Sequence, residues 1–515
     1  MTMASFLGID IGTTSVKAGL FDEHGHCLGK AEQDYRLHTP AVDRVELDAE
    51  TYWSATQSVV QRALAESRTG ALDVQALTIS SQGETTIAVD AAGRPLHPAL
   101  VWLDNRARSQ ADRLRAALGA QVYARTGIPE VNPTWSACKI AWLAEHHPDI
   151  TAAAHMFLLP GSFIIHRLTG AFVADGALTC TTLLYDIVRH TWWDQAVSLA
   201  GINLAQLPEI RETGSIGGRL NDAAALALGL PAGLPVVLGG MDQVAGAVGS
   251  GNVTDDVVSE STGGALTIQV TVDRPDLDPR RRVPVYEHAL PGKYLFDPVC
   301  DTGGMALKWF RDTFAADEVA RAAQGGGSAY DALTEAAERV PPASDGLLML
   351  PHLTGAFSPE HNSLARGVFY GFTLAHRREH FARAVLEAVA YMLRRNLESI
   401  SAIGLDVREV RATGGGARST LWRQIKADVC SLPVVSLRES DTALLGDAIL
   451  AAVAVGRHTS LPAACAAMVE LGERLLPDPA AHALYEQAYR RYGELYAALD
   501  PLFRTHFADG GSLAR

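Results

Sequence analysis

A turn rich in hydroxyl groups near the start of the chain carries the first residues that could do chemistry. An apolar run at residues 6–11 enters Gly12-Thr13-Thr14-Ser15 and a second apolar run leaves it, which predicts a β-hairpin with hydroxyls at its tip. Glycine lets the backbone approach a ligand closely, the hydroxyls donate hydrogen bonds, and Asp10 supplies a carboxylate. This set suits a phosphate tail with its Mg²⁺, which one carboxylate, waters and phosphate oxygens can hold. An ordinary hairpin with a polar tip would show the same pattern.

Two polar residues follow a predicted strand at residues 74–80. Gln82 and Glu84 stand at the end of this strand, and strand ends are where open α/β sheets bind ligands. They are therefore candidates for lining a pocket. A solvated turn would also account for Glu84.

An aromatic residue, an acid and a base lie within five positions, directly before a predicted helix. Trp102, Asp104 and Arg106 could stack on and hydrogen-bond to a polyhydroxylated ligand. A helix cap at Asp104, with Arg106 paired on the surface, explains the same residues.

The candidate general base is Asp242. A buried strand that begins at Pro235 ends in Gly239 and Gly240, and the acid follows just before a helix of small residues at 244–249. An acid that glycines expose at the end of a strand is well placed to accept a proton. A helix cap would look similar.

The second half of the chain partly repeats the first. Ser261-Thr262-Gly263-Gly264 again separates two apolar runs, which indicates two related α/β domains that each direct a hairpin at one cleft. Two such hairpins could hold a polyphosphate from both sides. We place the domain boundary near residues 249–252.

Two further glycine turns precede helices in the second half. Gly303-Gly304 begins one helix, and Gly414-Gly415-Gly416 joins a predicted strand at 410–413 to another. Both could accept a nucleoside close to the backbone, although neither follows the G-x-G-x-x-G spacing.

Composition limits the class of protein. The 515 residues are 48% hydrophobic and 20% charged, so two or more globular domains are expected. A net charge of −14 without a block of Lys or Arg argues against a nucleic-acid or membrane partner. Six scattered cysteines without C-x-x-C spacing indicate a reduced, cytoplasmic protein without a zinc cluster. From the sequence we expect neither a signal peptide nor a transmembrane helix.

Taken in order, these motifs resemble the FGGY family of carbohydrate kinases. The shared motifs are Asp-x-Gly-Thr-Thr-Ser at 10–15, Trp-x-Asp-x-Arg at 102–106, Gly-x-Asp-Gln at 240–243, Ala-Arg-Gly-x-Phe-x-Gly-Phe-Thr at 365–373 and Gly-Gly-Gly-Ala-Arg-Ser at 414–419. The resemblance extends from about residue 7 to residue 507. It implies an α/β fold of two ribonuclease-H-like (actin-like ATPase) domains, 1–249 and 250–515, with ATP and a sugar in an interdomain cleft.

The resemblance also implies a role for each matching position. Asp10 would bind Mg²⁺, and Asp242 would be the catalytic base. The positions implied to bind ATP are Thr13, Thr14, Ser15, Lys17, Thr262, Gly263, Gly304, Lys308, Gly415 and Gly416. Those implied to bind the sugar are Gln82, Glu84, Trp102, Asp104 and Gln243.

Departures from the family pattern bear on the substrate. Glu84-Thr85-Thr86 resembles the corresponding residues of glycerol kinases. Xylulose kinases typically carry Met-His at the positions of Gly83 and Glu84. Trp102-x-Asp104, however, is similar to the motif of ketose kinases. We predict phosphorylation of a ketopentose such as xylulose. Glycerol, erythritol, gluconate and a hexulose are alternatives.

Other readings remain open. An actin-like or chaperone-like ATPase and a non-catalytic sugar sensor are alternatives of another class. Asp447 replaces a usual alanine near the nucleotide end. A homodimer is the candidate assembly.

Overall fold

The computed structural model describes residues 4–67 and 70–506. The predicted outer domain limits, residues 1 and 515, and the end of the resemblance at residue 507 lie outside the described residues. The chain divides into two compact units. The first reaches to Val253 and also includes Thr271–Phe296 and Asp441–Glu470, whereas the second consists of Thr254–Val270, Asp297–Ser440 and the chain from Leu471 onward. The first division falls next to residues 249–252, but two later segments return to the first unit.

Short strands occur throughout the chain. Up to the first division they are β1 (Ser5–Ile11), β2 (Ser15–Asp22), β3 (Cys27–Asp34), β4 (His38–Ala41), β5 (Arg44–Leu47), β6 (Val74–Ser81), β7 (Ile87–Val89), β8 (Ala99–Leu100), β9 (Met156–Leu158), β10 (Val173–Asp175), β11 (Tyr185–Asp186), β12 (Thr191–Trp192), β13 (Glu209–Arg211), β14 (Ile216–Arg219) and β15 (Pro235–Met241). The later strands are β16 (Val257–Thr262), β17 (Leu266–Val272), β18 (Val285–Glu287), β19 (Tyr294–Phe296), β20 (Val299–Cys300), β21 (Leu348–Leu350), β22 (Val368–Tyr370), β23 (Glu409–Thr413), β24 (Val434–Leu437) and β25 (Leu471–Leu475).

Helices alternate with these strands. They are α1 (Glu50–Ser67), α2 (Arg108–Leu118), α3 (Gln121–Thr126), α4 (Ser136–His146), α5 (Pro148–Ala153), α6 (Pro160–Thr169), α7 (Gly176–Thr179), α8 (Asp194–Leu199), α9 (Asp222–Leu228), α10 (Asp242–Gly249), α11 (Gly304–Phe314), α12 (Ala316–Ala323), α13 (Ala329–Glu338), α14 (Arg378–Ala402), α15 (Thr420–Cys430), α16 (Thr442–Ala454), α17 (Leu461–Met468) and α18 (Pro479–His506). Among the described residues, no helix combines the length and apolar character needed to cross a membrane.

The central sheet of the first unit has the strand order β14-β15-β6-β1-β2-β3. Strands β1 and β2 form the predicted antiparallel hairpin, while β1 runs parallel to β6 and β6 runs parallel to β15. The apolar side chains of β1 are buried on both faces, as expected for the middle of a covered sheet. The ends of β1, β6 and β15 therefore lie at one edge, which brings the residues after them together.

The second unit repeats this arrangement. Its sheet contains β17-β16-β23-β24-β25, in which β16 and β17 form an antiparallel hairpin. Strand β16 runs parallel to β23, and β23 runs parallel to β24. The internal repeat predicted from the sequence is thus confirmed, because each unit joins a hairpin to two further parallel strands.

Helix α16 covers the first unit's sheet directly beneath its hairpin. It packs against β1, β6 and α10, and glycines permit the close approach. A Cβ at Gly8 would lie 2.5 Å from the Leu444 carbonyl oxygen, well inside normal contact. This packing places the acidic residues Asp441 and Asp447, which lie before and within α16, beside the hairpin strands.

Candidate functional site

The tip of the β1–β2 hairpin is held by hydrogen bonds from three aromatic and amide side chains. The Gly12 carbonyl accepts from the Tyr35 hydroxyl at 2.5 Å and from Gln82 Nε2 at 3.1 Å. Trp102 Nε1 donates to Thr13 Oγ1 at 2.8 Å, which leaves the threonine proton available to a ligand. The tip is therefore a fixed group of donors.

Asp10, near the end of β1, has an oxygen suited to a metal. Its Oδ1 is enclosed and makes no hydrogen bond within the described residues. Burial raises the pKa of the Asp10 carboxyl to about 6, although the nearby Lys17 ammonium acts in the opposite direction. Between residues 4 and 506, leaving out 68 and 69, no cluster of three or more His, Cys, Asp or Glu could hold a metal. A cation here would take its remaining ligands from water and phosphate, as Mg²⁺ commonly does.

The other polar residues of this hairpin mostly contact protein. Ser15 Oγ donates to Glu32 Oε1 at 2.8 Å, and Lys17 Nζ lies 3.1 Å from Asp441 Oδ1. Thr14 is exposed, and its hydroxyl makes no hydrogen bond to any described residue. Of these three predicted nucleotide-binding residues, only Thr14 presents a free side chain.

Beneath the hairpin, Asp447 is completely buried in α16. Its Oδ2 accepts from Ser80 Oγ at 2.9 Å, while Oδ1 has no hydrogen-bond partner among the described residues. Burial raises the pKa of the Asp447 carboxyl well above its usual range, and Asp10 adds to this shift. A buried acid thus lies next to the candidate metal residue.

The turn after β6 has a constrained backbone. A Cβ at Gly83 would lie 2.5 Å from the side chain of Thr181, and Glu84 is in the left-handed region at a φ of 56°. Such conformations cost energy in residues other than glycine and often occur at functional sites. Gln82 is buried, and its amide donates to Gly12 and to the Tyr52 hydroxyl, so its visible role is to hold the hairpin.

Glu84 is partly exposed, and its carboxylate makes no hydrogen bond within the described residues. Beneath it, the fully buried Lys139 donates to the backbone carbonyls of Glu84, at 3.3 Å, and Thr134. Burial raises the pKa of the Glu84 carboxyl to about 7, with Lys139 opposing the shift. Burial likewise lowers the pKa of Lys139 to about 8, with Glu84 opposing. A partly exposed carboxylate without a hydrogen-bond partner among the described residues fits both a ligand contact and a solvated turn.

Asp104, a predicted sugar contact, makes several hydrogen bonds within the protein. Its side chain is fully buried, and its Oδ2 accepts from Val45 N at 2.7 Å and Arg106 Nη2 at 2.7 Å. Arg106 also contacts Glu46 at 2.6 Å. Asp104 therefore belongs to a buried ion-pair network, and it neither caps a helix nor forms a surface pair.

Asp242 and Gln243 lie where β15 gives way to α10, as predicted. Asp242 is partly exposed and its Oδ1 accepts from Gln243 N at 2.8 Å. Gln243 Oε1 is enclosed without a hydrogen-bond partner among the described residues. An acceptor of this kind suits a substrate hydroxyl.

In the second unit, glycines from three segments meet at the tip of the β16–β17 hairpin. Gly303 N and Met305 N both donate to the Gly264 carbonyl, at 2.8 and 3.0 Å. A Cβ at Gly416 would lie 2.7 Å from Thr262 Cβ, whereas one at Gly263 would meet nothing within 4 Å. The start of α11 and the turn before α15 thus pack directly on the hairpin, whose own tip faces open space.

Two predicted nucleotide-binding side chains in this unit are already paired. Thr262 Oγ1 accepts from Lys426 Nζ at 2.7 Å and donates to Glu260 Oε2 at 2.7 Å. Lys308 is exposed and lies 2.8 Å from Asp312. The glycines Gly304, Gly415 and Gly416 do lie around Thr262 and Gly263, but the threonine hydroxyl is fully used within the protein.

Sequence reasoning missed the residues that hold these turns. Lys139 stands on an otherwise apolar helix face, and Glu260 and Lys426 are both fully buried. The available signal was a charged residue inside an apolar strand or helix, which rarely occurs unless it is paired. The partner of each charge could not be read from the sequence.

Comparisons with known proteins agree with this geometry. The profile of the FGGY family of carbohydrate kinases matches residues 5–249 with its N-terminal domain and residues 266–455 with its C-terminal domain. A gluconokinase of Bacillus subtilis is 33% identical over 464 residues, or 89% of each chain. A xylulose kinase of Escherichia coli is 31% identical, covering 96% of this chain and 99% of its own. The crystal structure of a gluconate kinase from Lactobacillus acidophilus matches with a TM-score of 0.88 at 25% identity, over 98% and 99% of the two chains. The predicted fold of two actin-like, ribonuclease-H-like domains is confirmed.

Proposed function

Because the chain belongs to the FGGY family of carbohydrate kinases, we propose that it transfers the γ-phosphate of ATP to a terminal hydroxyl of a small sugar. A ketopentose such as xylulose is the first candidate substrate. The observation that carries this proposal is the group of unused acceptors after β6 and β15, namely the Glu84 carboxylate and Gln243 Oε1 next to Asp242. Such acceptors suit a ligand rich in hydroxyls.

Asp242 is the general base in this proposal. It lies at the start of α10, where two preceding glycines in β15 leave it partly exposed. It accepts the proton of the attacking hydroxyl as the oxygen–phosphorus bond forms, and ADP leaves with the electrons of the broken bond. Gln243 and Glu84 accept from other hydroxyls and orient the sugar for in-line attack.

The β1–β2 hairpin serves the transferred phosphate. Asp10 would hold Mg²⁺, which when bound supplies positive charge to the phosphate oxygens. The unpaired Oδ1 of Asp10 supports this assignment. Thr13 and Thr14 donate from the hairpin tip. Ser15 and Lys17 contribute by fixing the second strand through Glu32 and Asp441.

In this proposal, glycines of the second unit bind the nucleotide. Gly263 faces open space at its hairpin tip, and Gly304, Gly415 and Gly416 surround that tip without side chains. Bare backbone at a turn offers N–H donors to phosphate and lets a nucleoside ring approach closely.

Gluconate is the second candidate substrate because a relative at 33% identity is a gluconokinase. Where Glu84 is ionised, above its raised pKa of about 7, its charge favours a neutral sugar instead. An aldonate would bring a second carboxylate next to Glu84, and like charges at close range repel. Lys139 offers little compensation, because its buried ammonium already donates to two carbonyls.

Sugar-stimulated release of ADP tests the proposal. The purified protein is assayed with ATP and Mg²⁺ over a panel of ketoses, polyols and aldonates. We expect a ketopentose to give the highest kcat/KM. The highest value with gluconate would overturn the substrate assignment alone, and ADP release that no sugar stimulates would overturn the proposed transfer.

A further inference from the structure

Three buried side chains form a closed hydrogen-bonded ring behind the second unit's hairpin. Lys426 of α15 and Glu260 of β16 are each 0% exposed, and Lys426 Nζ lies 2.5 Å from Glu260 Oε1. Thr262 completes the ring, with 2.7 Å to Lys426 Nζ and 2.7 Å to Glu260 Oε2. Because the hydroxyl both accepts and donates, the Thr262 side chain is confined to one orientation.

The ring sets the position of the glycine turn next to it. A Cβ at Gly416 would lie 2.7 Å from Thr262 Cβ, and one at Gly414 would lie 3.0 Å from the Thr262 carbonyl oxygen. Gly414 itself is in the left-handed region at a φ of 72°. A shift of Thr262 would therefore move this turn and the hairpin tip relative to each other.

Stability alone does not account for a completely buried ion pair at this place. Removing two charges from water costs several kcal/mol, and well-packed apolar residues commonly serve the fold equally well. The pair contacts Thr262, whose side chain packs against the glycine turn. Its position is better explained by the geometry it imposes there.

We propose that Lys426 is a positioning residue for the nucleotide, acting through the Thr262 hydroxyl with Glu260 as its counter-ion. The inference rests on the proposed role of Gly263, Gly415 and Gly416 in binding ATP. Lys426 contributes orientation and no net charge, because Glu260 neutralises it. The Thr262 hydroxyl is a structural contact, and the backbone around it makes the contacts to the nucleotide.

The test replaces the charged pair by a neutral one. Lys426→Met combined with Glu260→Gln removes both charges together, so that neither is left buried alone, and it removes the hydrogen bond that Lys426 donates to Thr262. We expect KM for ATP and Kd for ADP to rise about tenfold, the order expected when a hydrogen bond that fixes a binding element is lost. KM for the sugar should change less than about twofold, the margin within which independent sites add.

A second variant tests whether the effect passes through Thr262. Thr262→Val should weaken ADP binding to a similar extent, and adding it to the double variant should weaken binding no further, since residues acting as one unit are not additive. The matched control is another buried ion pair of this unit, Arg383–Glu387 at 2.8 Å. Arg383→Met with Glu387→Gln should lower the melting temperature and leave ADP binding unchanged.

Calorimetry with ADP separates this inference from the proposed sugar transfer. If no sugar stimulates ADP release but ADP binds and the variants weaken it, positioning by Lys426 stands and the transfer fails. The inference is overturned if the folded double variant binds ADP as wild type does. It is also overturned if the effects of Thr262→Val and the double variant add, or if wild type does not bind ADP.

Discussion

Replacing Glu84 by glutamine is expected to stabilise the protein and slow the enzyme, with both effects growing as pH rises. Burial raises the pKa of the Glu84 carboxyl from 4.5 to about 7. A carboxyl with a raised folded-state pKa contributes its stability below the unfolded value and loses it as pH rises through the folded value. The window is therefore about pH 4.5 to 7. The shift corresponds to on the order of 3 kcal/mol, and partial exposure lowers this to about 1–3 kcal/mol.

Glu84→Gln should lower the catalytic activity, although it raises the stability. A hydrogen bond from a sugar hydroxyl to the charged carboxylate is worth about 1.5–3 kcal/mol, or roughly 10- to 150-fold in kcat/KM. Wild-type kcat/KM for the sugar should rise as pH passes through about 7, where Glu84 ionises. Glu84→Gln should lack that rise and fall furthest behind wild type near pH 8. Glu84→Ala should lose at least as much, and KM for ATP should change little in either variant.

Two measurements at several pH values test the role of Glu84 in stability and in activity. Melting temperatures of Glu84→Gln and wild type are compared at pH 5 and pH 8, and kcat/KM for the sugar is measured from pH 5.5 to 8.5. Glu130→Gln is the control, because it makes the same chemical change at an exposed glutamate of the same unit. A rise near pH 7 that persists in Glu84→Gln would refute the assignment of that rise to Glu84. A variant less stable than wild type at pH 8 would refute the burial argument.

Three further predictions concern other residues. Asp242→Asn should bind ADP normally but lose about 10²–10⁴ in turnover, the range for a general base; near-normal turnover would remove Asp242 from that role. Gly263→Ala should keep the wild-type melting temperature, because its Cβ meets no atom within 4 Å, while weakening ADP binding as the methyl group enters the proposed phosphate site; unchanged affinity would place the nucleotide elsewhere. The melting temperature of Asp447→Ala, compared with that of wild type, should increase as pH rises, because burial raises the pKa of the Asp447 carboxyl. A difference in melting temperature that does not change with pH would refute this titration of Asp447.

Local patterns predicted the elements that carry the site. Apolar runs broken by glycine and hydroxyl residues gave the two hairpins, and an apolar run ending in glycines gave β15 with Asp242 after it. These features depend on residues that are adjacent in sequence, so they can be predicted from the sequence alone. The placement of Glu84 at the end of β6 follows from the same reasoning.

Contacts between distant segments of the chain could not be predicted from local sequence patterns. Asp104 resembles a ligand because of its type and neighbours, but Arg106 and the Val45 amide occupy its oxygens. The sequence alone would place Lys139 and Lys426 on the surface, but both are buried in the structure. The partner that satisfies a buried charge comes from a distant segment, and its identity depends on the whole fold.

The return of residues 441–470 to the first unit has a consequence for synthesis on the ribosome. The strands β1 and β6 emerge early, but α16, which covers them, is made only after most of the second unit. At about 5–20 residues per second, roughly 10–45 s separate residue 253 from residue 470. During that interval the nascent chain carries an incomplete first unit, so chaperones have a defined period in which to bind it. For the same reason, no single cut in the chain yields two polypeptides that each contain one whole unit.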